Sequence, residues 1–555
     1  MENPSQPNRH GDQTRFALLA SAVVLIAWTV WQCIGIEAMR LPWVDEILYD
    51  LAPVNWATDG NFSIPQLGHF LDADVGWRWH MPLYPVLAAG WVKVAGYQLV
   101  TLRMFGLLPA VFMALLLAWC CARLAGQKNW PWLLFWLAII LGDKSIVTNS
   151  LTGRMDFWCL LAVIASIALV LHPGKRLQIL GSGVLLGVAL GFHPYAVYFM
   201  PGLLCLAVTG GLPAADETSL RWRRALYVII GFSLVAAPIA LWFLADWQLT
   251  KQQFISQMRG TVQGSLAHNA RILLDGLTYN FRFQPFFLYV VPMVISIHLW
   301  HLLAPKRAGL PDRTLSLGLV LLLAGFIIFL LHLSFMHVSY FPPVVLASLL
   351  LMARALAIVR LAGSTPYKIA LGILFLLLAN NLVFMAGKTR TVWRNRTVLD
   401  PAPMNAFLAT ELKEGDRCVL PPELWLYGKQ HHLNFRVGFF PVVGQSAATY
   451  QAYRQSLLDW HPDTIILDRA ESERDPERCF SLAEMAADGY VEKARYDRIF
   501  RDRIIFDGYR LVVYHRVQSM TLKGQGGRAT PDGALNGEII SAANQAVNTY
   551  RPPPL

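Results

Sequence analysis

The feature that most constrains this chain is a series of apolar runs, each about twenty residues long, the length that a transmembrane helix needs. The first run, FALLASAVVLIAWTVWQCIGI, covers residues 16–36, and the last ends at residue 387. Hydrophobic residues make up 55% of the 555-residue chain and charged residues only 15%, which excludes intrinsic disorder and an ordinary soluble enzyme. The sequence therefore predicts a mainly α-helical, polytopic membrane protein.

Eleven transmembrane spans are predicted when the long run 177–210 is counted as a hairpin of two. The shorter run 82–96 contains Pro85 and Lys93, so we interpret it as re-entrant or interfacial. With this choice the Lys and Arg residues of the short loops collect on one face, which the positive-inside rule assigns to the cytoplasm. Four basic residues just beyond the last span run against this orientation: Lys388, Arg390, Arg394 and Arg396. The predicted spans are 16–36, 104–122, 131–153, 157–172, 177–210, 225–245, 285–304, 314–335, 338–353 and 369–387.

The character of the chain changes after the last apolar run. Short β-rich runs (RCVL, DTIILD, RLVVYHR) alternate with helical stretches, which predicts a small extramembrane α/β domain. The end of the chain is rich in Gly, Ala, Asn, Thr and Pro, and we expect it to be disordered. The predicted organisation is a cytoplasmic N-terminus at 1–15, a transmembrane domain at 16–390 with long outer loops at 37–101 and 246–284, an outer α/β domain at 400–516, and a tail at 517–555.

The seven cysteines do not form a metal or disulfide pattern. Five of them lie inside apolar runs, and no Cys and His residues have metal-ligand spacing. Cys418 and Cys479 belong to the predicted α/β domain. An outer location would permit a disulfide between them, and two reduced thiols fit the sequence equally well.

Three acids on the predicted outer face are candidate catalytic residues. Asp45 and Glu46 stand in PWVDEILYD, shortly after the first span, and Asp156 stands in LTGRMDFW beside Arg154. Adjacent acids most often mark a solvated helix start. An ionisable group near membrane depth is costly and is a functional hypothesis by default, although pairing with Arg154 is an adequate structural reason for Asp156.

The same face carries basic, imidazole and phenol groups that each, taken alone, fit a polar group at a helix end. Together with the acids they suit a substrate that bears phosphate on a lipid, because guanidinium groups neutralise phosphate and a carboxylate takes a proton. These candidates are Arg78, His80, His193, Arg259, His268, Arg271, His337 and Tyr340.

The ordered set of motifs resembles the GT-C membrane glycosyltransferases, in particular the superfamily of the lipid A aminoarabinose transferase and the protein O-mannosyltransferases. The likeness covers roughly residues 16–390, and the order of the motifs carries it, since no single motif is specific. The matching elements are Asp45-Glu46 with Tyr49, HMPLY at 80–84, Arg103 with ARLAG at 122–126, GRMD ending at Asp156, the hairpin GVALGFHPYAVYFMPGLL, and the late helix HVSYFPPVVLASLLLMARAL.

The sequence also departs from the family pattern. His80 stands where the family has a phosphate-binding Lys, and His193 stands where another Lys is common. Contacts with the donor phosphate would then rest on Arg78 or on loop arginines such as Arg259 and Arg271. The aminoarabinose specificity is therefore not carried over to this chain.

The resemblance implies a single displacement at the anomeric carbon of a polyprenyl-phosphate sugar. Asp45 would be the base, Glu46 its neighbour that shapes the acceptor site or the helix, and Asp156 a second, orienting carboxylate. Tyr84 and Arg154 complete the implied substrate-binding set. We expect no cofactor, although the clustered acids are compatible with a divalent cation.

The resemblance also implies partners and a location. The partners are membrane lipids, the lipid-linked donor and an unidentified glycan, lipid or protein acceptor, with no nucleic acid. The location is the bacterial inner membrane, with the active site and the α/β domain on the periplasmic side of the cell envelope.

Two other classes of protein fit parts of the pattern. Transporters and lipid flippases often have broken helices with acids at the midplane, and Asp143-Lys144 and Asn380-Asn381 can be interpreted in that way. A packed polar contact is the simpler explanation for both pairs. A sensor would instead bind its ligand in the α/β domain and use the helices as an anchor.

Overall fold

The computed structural model confirms the predicted fold class: a mainly helical polytopic membrane fold followed by a small sheet. The cytoplasmic N-terminus and the disordered tail remain predictions, and residues 1–8 and 518–555 lie outside the described residues. The described residues are 9–37, 44–68, 70–127, 129–172, 176–209, 218–261, 265–281, 285–303, 310–333, 340–438, 447–469, 479–499 and 508–517.

Helices occupy every apolar run that the sequence predicted as a span. The hairpin at 177–210 consists of two helices joined by a 3₁₀ turn at Pro194–Phe199. Within the predicted second outer loop, a five-residue π-helical turn, Lys251–Ile255, lies between two short α-helices. The helices are α1 Arg9–Glu37, α2 Val44–Asp59, α3 Leu83–Ala95, α4 Leu99–Leu124, α5 Trp130–Gly142, α6 Lys144–Asn149, α7 Asp156–Leu171, α8 Arg176–Phe192, α9 Met200–Thr209, α10 Thr218–Ala245, α11 Trp247–Thr250, α12 Ser256–Thr261, α13 Leu266–Phe281, α14 Pro285–Leu303, α15 Leu310–His332, α16 Phe341–Ala362 and α17 Ser364–Leu399.

Length and composition identify five of the described helical stretches as able to cross a membrane by themselves. Shorter apolar helices occupy the other predicted spans, so the number eleven stays a prediction. The five stretches are Leu99–Leu124, Trp222–Ala245, Arg313–His332, Phe341–Ala362 and Ser364–Glu411.

The run at 82–96 forms the short helix α3. Its 13 residues extend over roughly 20 Å at about 1.5 Å per residue, which is less than the roughly 30 Å of a bilayer core. One face of α3, including Tyr84, Ala88 and Val92, is buried. Helix α5, in a predicted span, is equally short, so the interfacial interpretation of α3 stays a prediction.

Helices α8 and α10 approach closely because glycines line their contact. A Cβ atom at Gly183 would overlap with the carbonyl oxygen of Val228, and a Cβ atom at Gly231 would overlap with that of Leu180. Gly187 lies one turn after Gly183 and meets Val235. Small residues four apart are the usual device for close helix packing in membranes.

Two polar residues inside the bundle, Asp143 and Asn381, bond backbone groups. The Asp143 carboxylate accepts hydrogen bonds from the backbone amides of Ser145 and Ile146 and so caps α6. Asn381 Nδ2 donates to the carbonyl of Ile139 at 2.8 Å. These contacts favour the packing explanation of both residues over a transport role.

Lys388, the basic residue nearest to the end of the last apolar run, forms hydrogen bonds with neighbouring helices. Lys388 Nζ donates to Gln32 Oε1 and to the Val147 carbonyl, each at 3.3 Å. Helix α17 continues to Leu399 without a break. Because the positive-inside rule counts loop charges, Lys388 weighs little against the predicted orientation.

After α17 the chain forms a mixed five-stranded sheet in the order β2-β1-β3-β5-β4. Strand β1 is parallel to β2 and β3, and β5 is antiparallel to β3 and β4. Cys418 and Cys479 are buried free thiols. The strands are β1 Arg417–Leu420, β2 Asn434–Val437, β3 Thr464–Asp468, β4 Tyr490–Ile499 and β5 Gly508–Arg516. The helices of this region are α18 Ala402–Glu411, α19 Trp425–Gln430, α20 Ala447–Asp459 and α21 Leu482–Ala487.

This C-terminal region shares one hydrophobic core with the first outer loop. Ile47, Leu51 and Trp77 from the loop belong to the same buried cluster as Trp425 and Leu457. At the edge of the contact, Lys429 Nζ lies 2.6 Å from Asp59 Oδ2. The α/β region is therefore packed on the loop that carries Asp45 and Glu46.

Candidate active site

Polar residues from five parts of the chain meet at one end of the bundle. Helix α2, the segment from His80 to Tyr84, helix α4, the segment from Arg154 to Asp156 and the turn after α8 each contribute. We call this set the outer cluster: Glu46, Tyr49, Asp50, His80, Tyr84, Arg103, Arg154, Asp156 and His193.

The first ion pair of the outer cluster joins α2 to α4. Arg103 Nε lies 3.1 Å from Glu46 Oε1, and the terminal NH2 donates to Oε2 at 3.2 Å. Both side chains are buried. This fork geometry holds Glu46 as a carboxylate and fixes the start of α2 against the bundle.

Asp50, one turn after Glu46, forms the second contact of α2. The Tyr84 hydroxyl oxygen lies 3.2 Å from Asp50 Oδ1 and also bonds the Gly153 carbonyl. Gly153 has a φ of +60°, and a Cβ atom there would come within 3.4 Å of Asp50 Oδ2. Burial raises the pKa of Asp50 well above its usual value, and the Glu46 charge acts in the same direction. Burial therefore favours the neutral form of Asp50.

The second ion pair lies at the start of α7. Arg154 Nε contacts Asp156 Oδ2 at 2.8 Å, and both side chains are buried. The other carboxylate oxygen, Oδ1, has no hydrogen-bond partner among the described residues and lies 3.9 Å from His193 Nε2. The Tyr195 hydroxyl donates to the Asp156 carbonyl at 3.2 Å. Asp156 thus keeps one buried oxygen available to a hydroxyl donor.

Tyr49 connects the two halves of the outer cluster. Its ring lies 4.5 Å from the His80 ring, and the Arg154 guanidinium carbon lies 4.9 Å from its centre. Within the described part of the chain, the buried His80 Nε2 has no hydrogen-bond partner. Burial lowers the pKa of His80 well below its usual value, with smaller contributions in the same direction from His193 and Arg154. His80 is therefore a neutral imidazole at neutral pH.

Arg78 lies beside the outer cluster at the contact between the two predicted outer loops. Its guanidinium carbon sits 3.9 Å from the centre of the Trp242 ring in α10. Its backbone amide donates to Gln253 Oε1 at 2.5 Å. The loop therefore presents Arg78 next to the C-terminal end of α10, a helix able to span the membrane.

Three predicted residues have described positions outside the outer cluster. His268 and Arg271 are exposed on α13, and Arg271 lies 4.0 Å from Asp275 in a solvent-exposed pair. Tyr340 packs edge-on against Phe329, which in turn contacts Tyr195. The roles assigned to these residues stay predictions.

Three predicted residues fall where the structure gives no side chain. Asp45 lies on α2 and Arg259 on α12, but their side chains lie outside the described residues. His337 lies outside them altogether. Asp45 nonetheless directly precedes Glu46, so its backbone stands at the edge of the outer cluster.

The sequence assigned no role to three residues that hold the site together: Asp50, Arg103 and Gln253. A charged residue inside an apolar helix, as Arg103 is, signals a buried partner. Asp50 also lies four residues after Glu46, the spacing that places two side chains on one helix face. Gln253 carries no comparable signal, since glutamine in a polar loop is ordinary.

Among the described residues, no group of three or more His, Cys, Asp and Glu side chains could hold a metal ion. The expectation of no cofactor, compatible with a divalent cation, stays a prediction.

Comparison with known proteins identifies solved structures of similar fold. No protein-family model matches the sequence, and no curated protein matches it either. Among solved structures, ArnT from Cupriavidus metallidurans bound to undecaprenyl phosphate is similar, with a TM-score of 0.58 and 14% identity over 92% of this chain and 99% of that one. The chain has the ArnT fold. The apo ArnT structure gives a TM-score of 0.56 at 14% identity, over 90% of this chain and 98% of that one.

Proposed function

We propose that this protein is a glycosyltransferase that moves a sugar from a polyprenyl-phosphate donor to an acceptor hydroxyl or phosphate. The acceptor would lie on the periplasmic side of the bacterial inner membrane. The observation that carries the proposal is the outer cluster, in which buried acids and arginines meet at one end of an ArnT-like bundle. The ArnT structure with undecaprenyl phosphate supports the same class of lipid carrier here.

The proposed reaction is a single displacement. The acceptor oxygen forms a bond to the anomeric carbon while the bond from that carbon to the donor phosphate oxygen breaks. Polyprenyl phosphate then leaves with the electron pair, and the acceptor proton passes to a carboxylate. Such a leaving group needs cationic stabilisation more than it needs a general acid.

Asp45 is the proposed base, because its position on α2, directly before Glu46, brings it to the edge of the outer cluster. Glu46 is a positioning residue, since Arg103 already occupies both of its oxygens. Asp156 is proposed to orient the substrate through Oδ1, while Oδ2 stays on Arg154. A carboxylate base contributes about 10²- to 10⁴-fold to the rate.

The test is the release of polyprenyl phosphate by purified protein supplied with a panel of polyprenyl-phosphate sugars and a membrane extract as the acceptor source. We expect Asp45→Asn to lower release by about 10²-fold or more. Asp275→Asn is the matched control, because Asp275 is exposed and its pair with Arg271 is solvated. Unchanged release in the Asp45 variant would contradict the assignment of the base.

Two observations weigh against the competing functions. Asp143 and Asn381, the residues that suggested a transporter, bond backbone groups within the bundle. The C-terminal region shares its core with the first outer loop, which does not suit an independent sensor domain. We also expect release to persist in the presence of a chelator; its loss, with recovery on adding a divalent cation, would identify a metal requirement.

A further inference from the structure

Arg78 differs from the two arginines of the outer cluster in the groups that its guanidinium contacts. Arg103 and Arg154 each bond a buried carboxylate. Arg78 instead stacks on Trp242, and its buried Nε has no hydrogen-bond partner among the described residues. Asp246 is a nearby carboxylate, but it accepts a hydrogen bond from Leu249 N and caps α11. Arg78 therefore retains donors for a further anion.

A buried glutamine holds the segment that carries Arg78. Gln253 is fully buried and donates to the carbonyls of Leu71 and Gly76, each at 2.9 Å, while it accepts from the Arg78 amide. The same segment also packs tightly against Leu249, because a Cβ atom at Gly76 would come within 3.0 Å of that side chain. Three hydrogen bonds from one side chain fix the backbone, and the guanidinium is thereby pre-organised.

The surroundings place this guanidinium where lipid headgroups lie. Trp242 is near the outer end of α10, a helix able to span the membrane. Its neighbours Leu241, Leu244 and Trp247 are exposed apolar side chains, as expected for a surface that contacts lipid. Tryptophan and arginine are both favoured at the level of the headgroups.

We propose that Arg78, stacked on Trp242 and fixed by Gln253, binds the phosphate group of a membrane lipid at the edge of the outer cluster. The identification of that lipid as polyprenyl phosphate rests on the proposed function. Guanidinium binds phosphate through parallel N–H donors, and a stacked, backbone-fixed arginine loses little freedom in doing so. Arg78 thereby supplies the fixed cation that the neutral His80, two residues along the chain, does not supply at neutral pH.

The experiment measures binding and not turnover. The full-length protein in nanodiscs of neutral lipid is titrated with polyprenyl phosphate, and binding is followed by native mass spectrometry. We expect Arg78→Gln to weaken binding about tenfold or more, because it removes charge-assisted hydrogen bonds. Arg78→Lys should recover part of this loss by restoring the charge. Arg495→Gln is the matched control and should bind within about twofold of the wild type, since Arg495 is exposed on β4 and already paired with Glu492.

Further arms separate a lipid phosphate from other sources of binding. Polyprenol without phosphate should bind weakly and equally to wild type and Arg78→Gln. Displacement of the lipid by inorganic phosphate at equal concentration would overturn the lipid assignment. Equal displacement by phosphatidylglycerol would overturn the assignment to a polyprenyl carrier.

Two results decide the central point. Unchanged binding of polyprenyl phosphate by a folded Arg78→Gln variant would overturn the proposal. If that variant does not fold, unchanged binding by a folded Arg78→Met variant, which also removes the charge, would do so. Arg78-dependent binding without transfer from any donor would instead contradict the proposed function and leave the phosphate site standing.

Discussion

Two buried acids one helical turn apart on α2 lie in different electrostatic environments. The fork of Arg103 contacts both oxygens of Glu46, whereas burial and the Glu46 charge raise the pKa of Asp50 well above its usual value. The Tyr84 hydroxyl contacts both Asp50 Oδ1 and the Gly153 carbonyl and has one proton to donate, so the protonated form of Asp50 can supply the second proton of this network. The Tyr84 contact joins α2 to the loop before α7, and so links the two segments that carry the candidate acids.

This difference predicts unequal effects of matched amide substitutions. Glu46→Gln leaves the Arg103 guanidinium buried without its counter-charge, which costs about 3–5 kcal/mol of unfolding free energy. Asp50→Asn keeps a neutral side chain with a donor and should cost about 1 kcal/mol or less. Thermal unfolding of the two variants in the same detergent measures the difference. Equal destabilisation would show that Asp50 is an ionised partner in the folded protein.

His80 gives the site a pH dependence on the acid side. Its lowered pKa means that the folded protein binds fewer protons than the unfolded chain below about pH 6.5. The free energy of unfolding should therefore fall as the pH falls through that value. His80→Gln should remove this part of the slope, which unfolding measurements from about pH 7.5 to about pH 5 would detect. Parallel curves for wild type and variant would contradict the assignment of a buried neutral imidazole.

At the scale of elements, the contact of α8 with α10 depends on the absence of side chains at glycine positions. Gly183, Gly187 and Gly231 bring the two backbones together, and a larger residue meets backbone atoms that cannot move aside. We expect Gly183→Leu to separate the helices and to lower the yield of folded protein severalfold. Gly372→Leu on α17 is the control, because a side chain there meets nothing within 4 Å. Size-exclusion profiles of the two variants compare them directly, and equal profiles would refute the packing argument.

The elements were largely predictable because their signals are local. Each apolar run coincides with a helix, and the break at Asp143 was visible as a charged pair inside a run. The runs RCVL, DTIILD and RLVVYHR are strands. Strands β2 and β4 were missed, since β2 has four residues and β4 carries several charges, so neither shows an apolar run.

The contacts of the site were less predictable because they join residues far apart in the chain. Glu46 and Arg103 are 57 residues apart, and Arg78 and Gln253 are 175 apart. No periodic pattern encodes such pairs. The residue types of the site are visible in the sequence, but which acid pairs with which arginine depends on the packed fold.

At the scale of the whole molecule, the C-terminal region completes the core of the first outer loop. Trp425 is fully buried in the cluster that also contains Ile47 and Leu51 of α2. We therefore expect removal of residues 400–555 to abolish transfer, because the apolar face of the loop would be left without its cover. Proteolysis of residues 37–101 in the truncated protein measures the expected loosening. Wild-type resistance with wild-type transfer would show that the loop folds on the membrane helices alone.

The central claim is that the outer cluster transfers a sugar from a lipid phosphate by a single displacement. The most direct test uses the reconstituted wild-type protein with polyprenyl-phosphate sugars of known anomeric configuration, and follows both the released polyprenyl phosphate and the configuration of the product. The account predicts release with inversion at the anomeric carbon. Retention of configuration, or no release from any donor by folded protein supplied with the membrane extract, would contradict it.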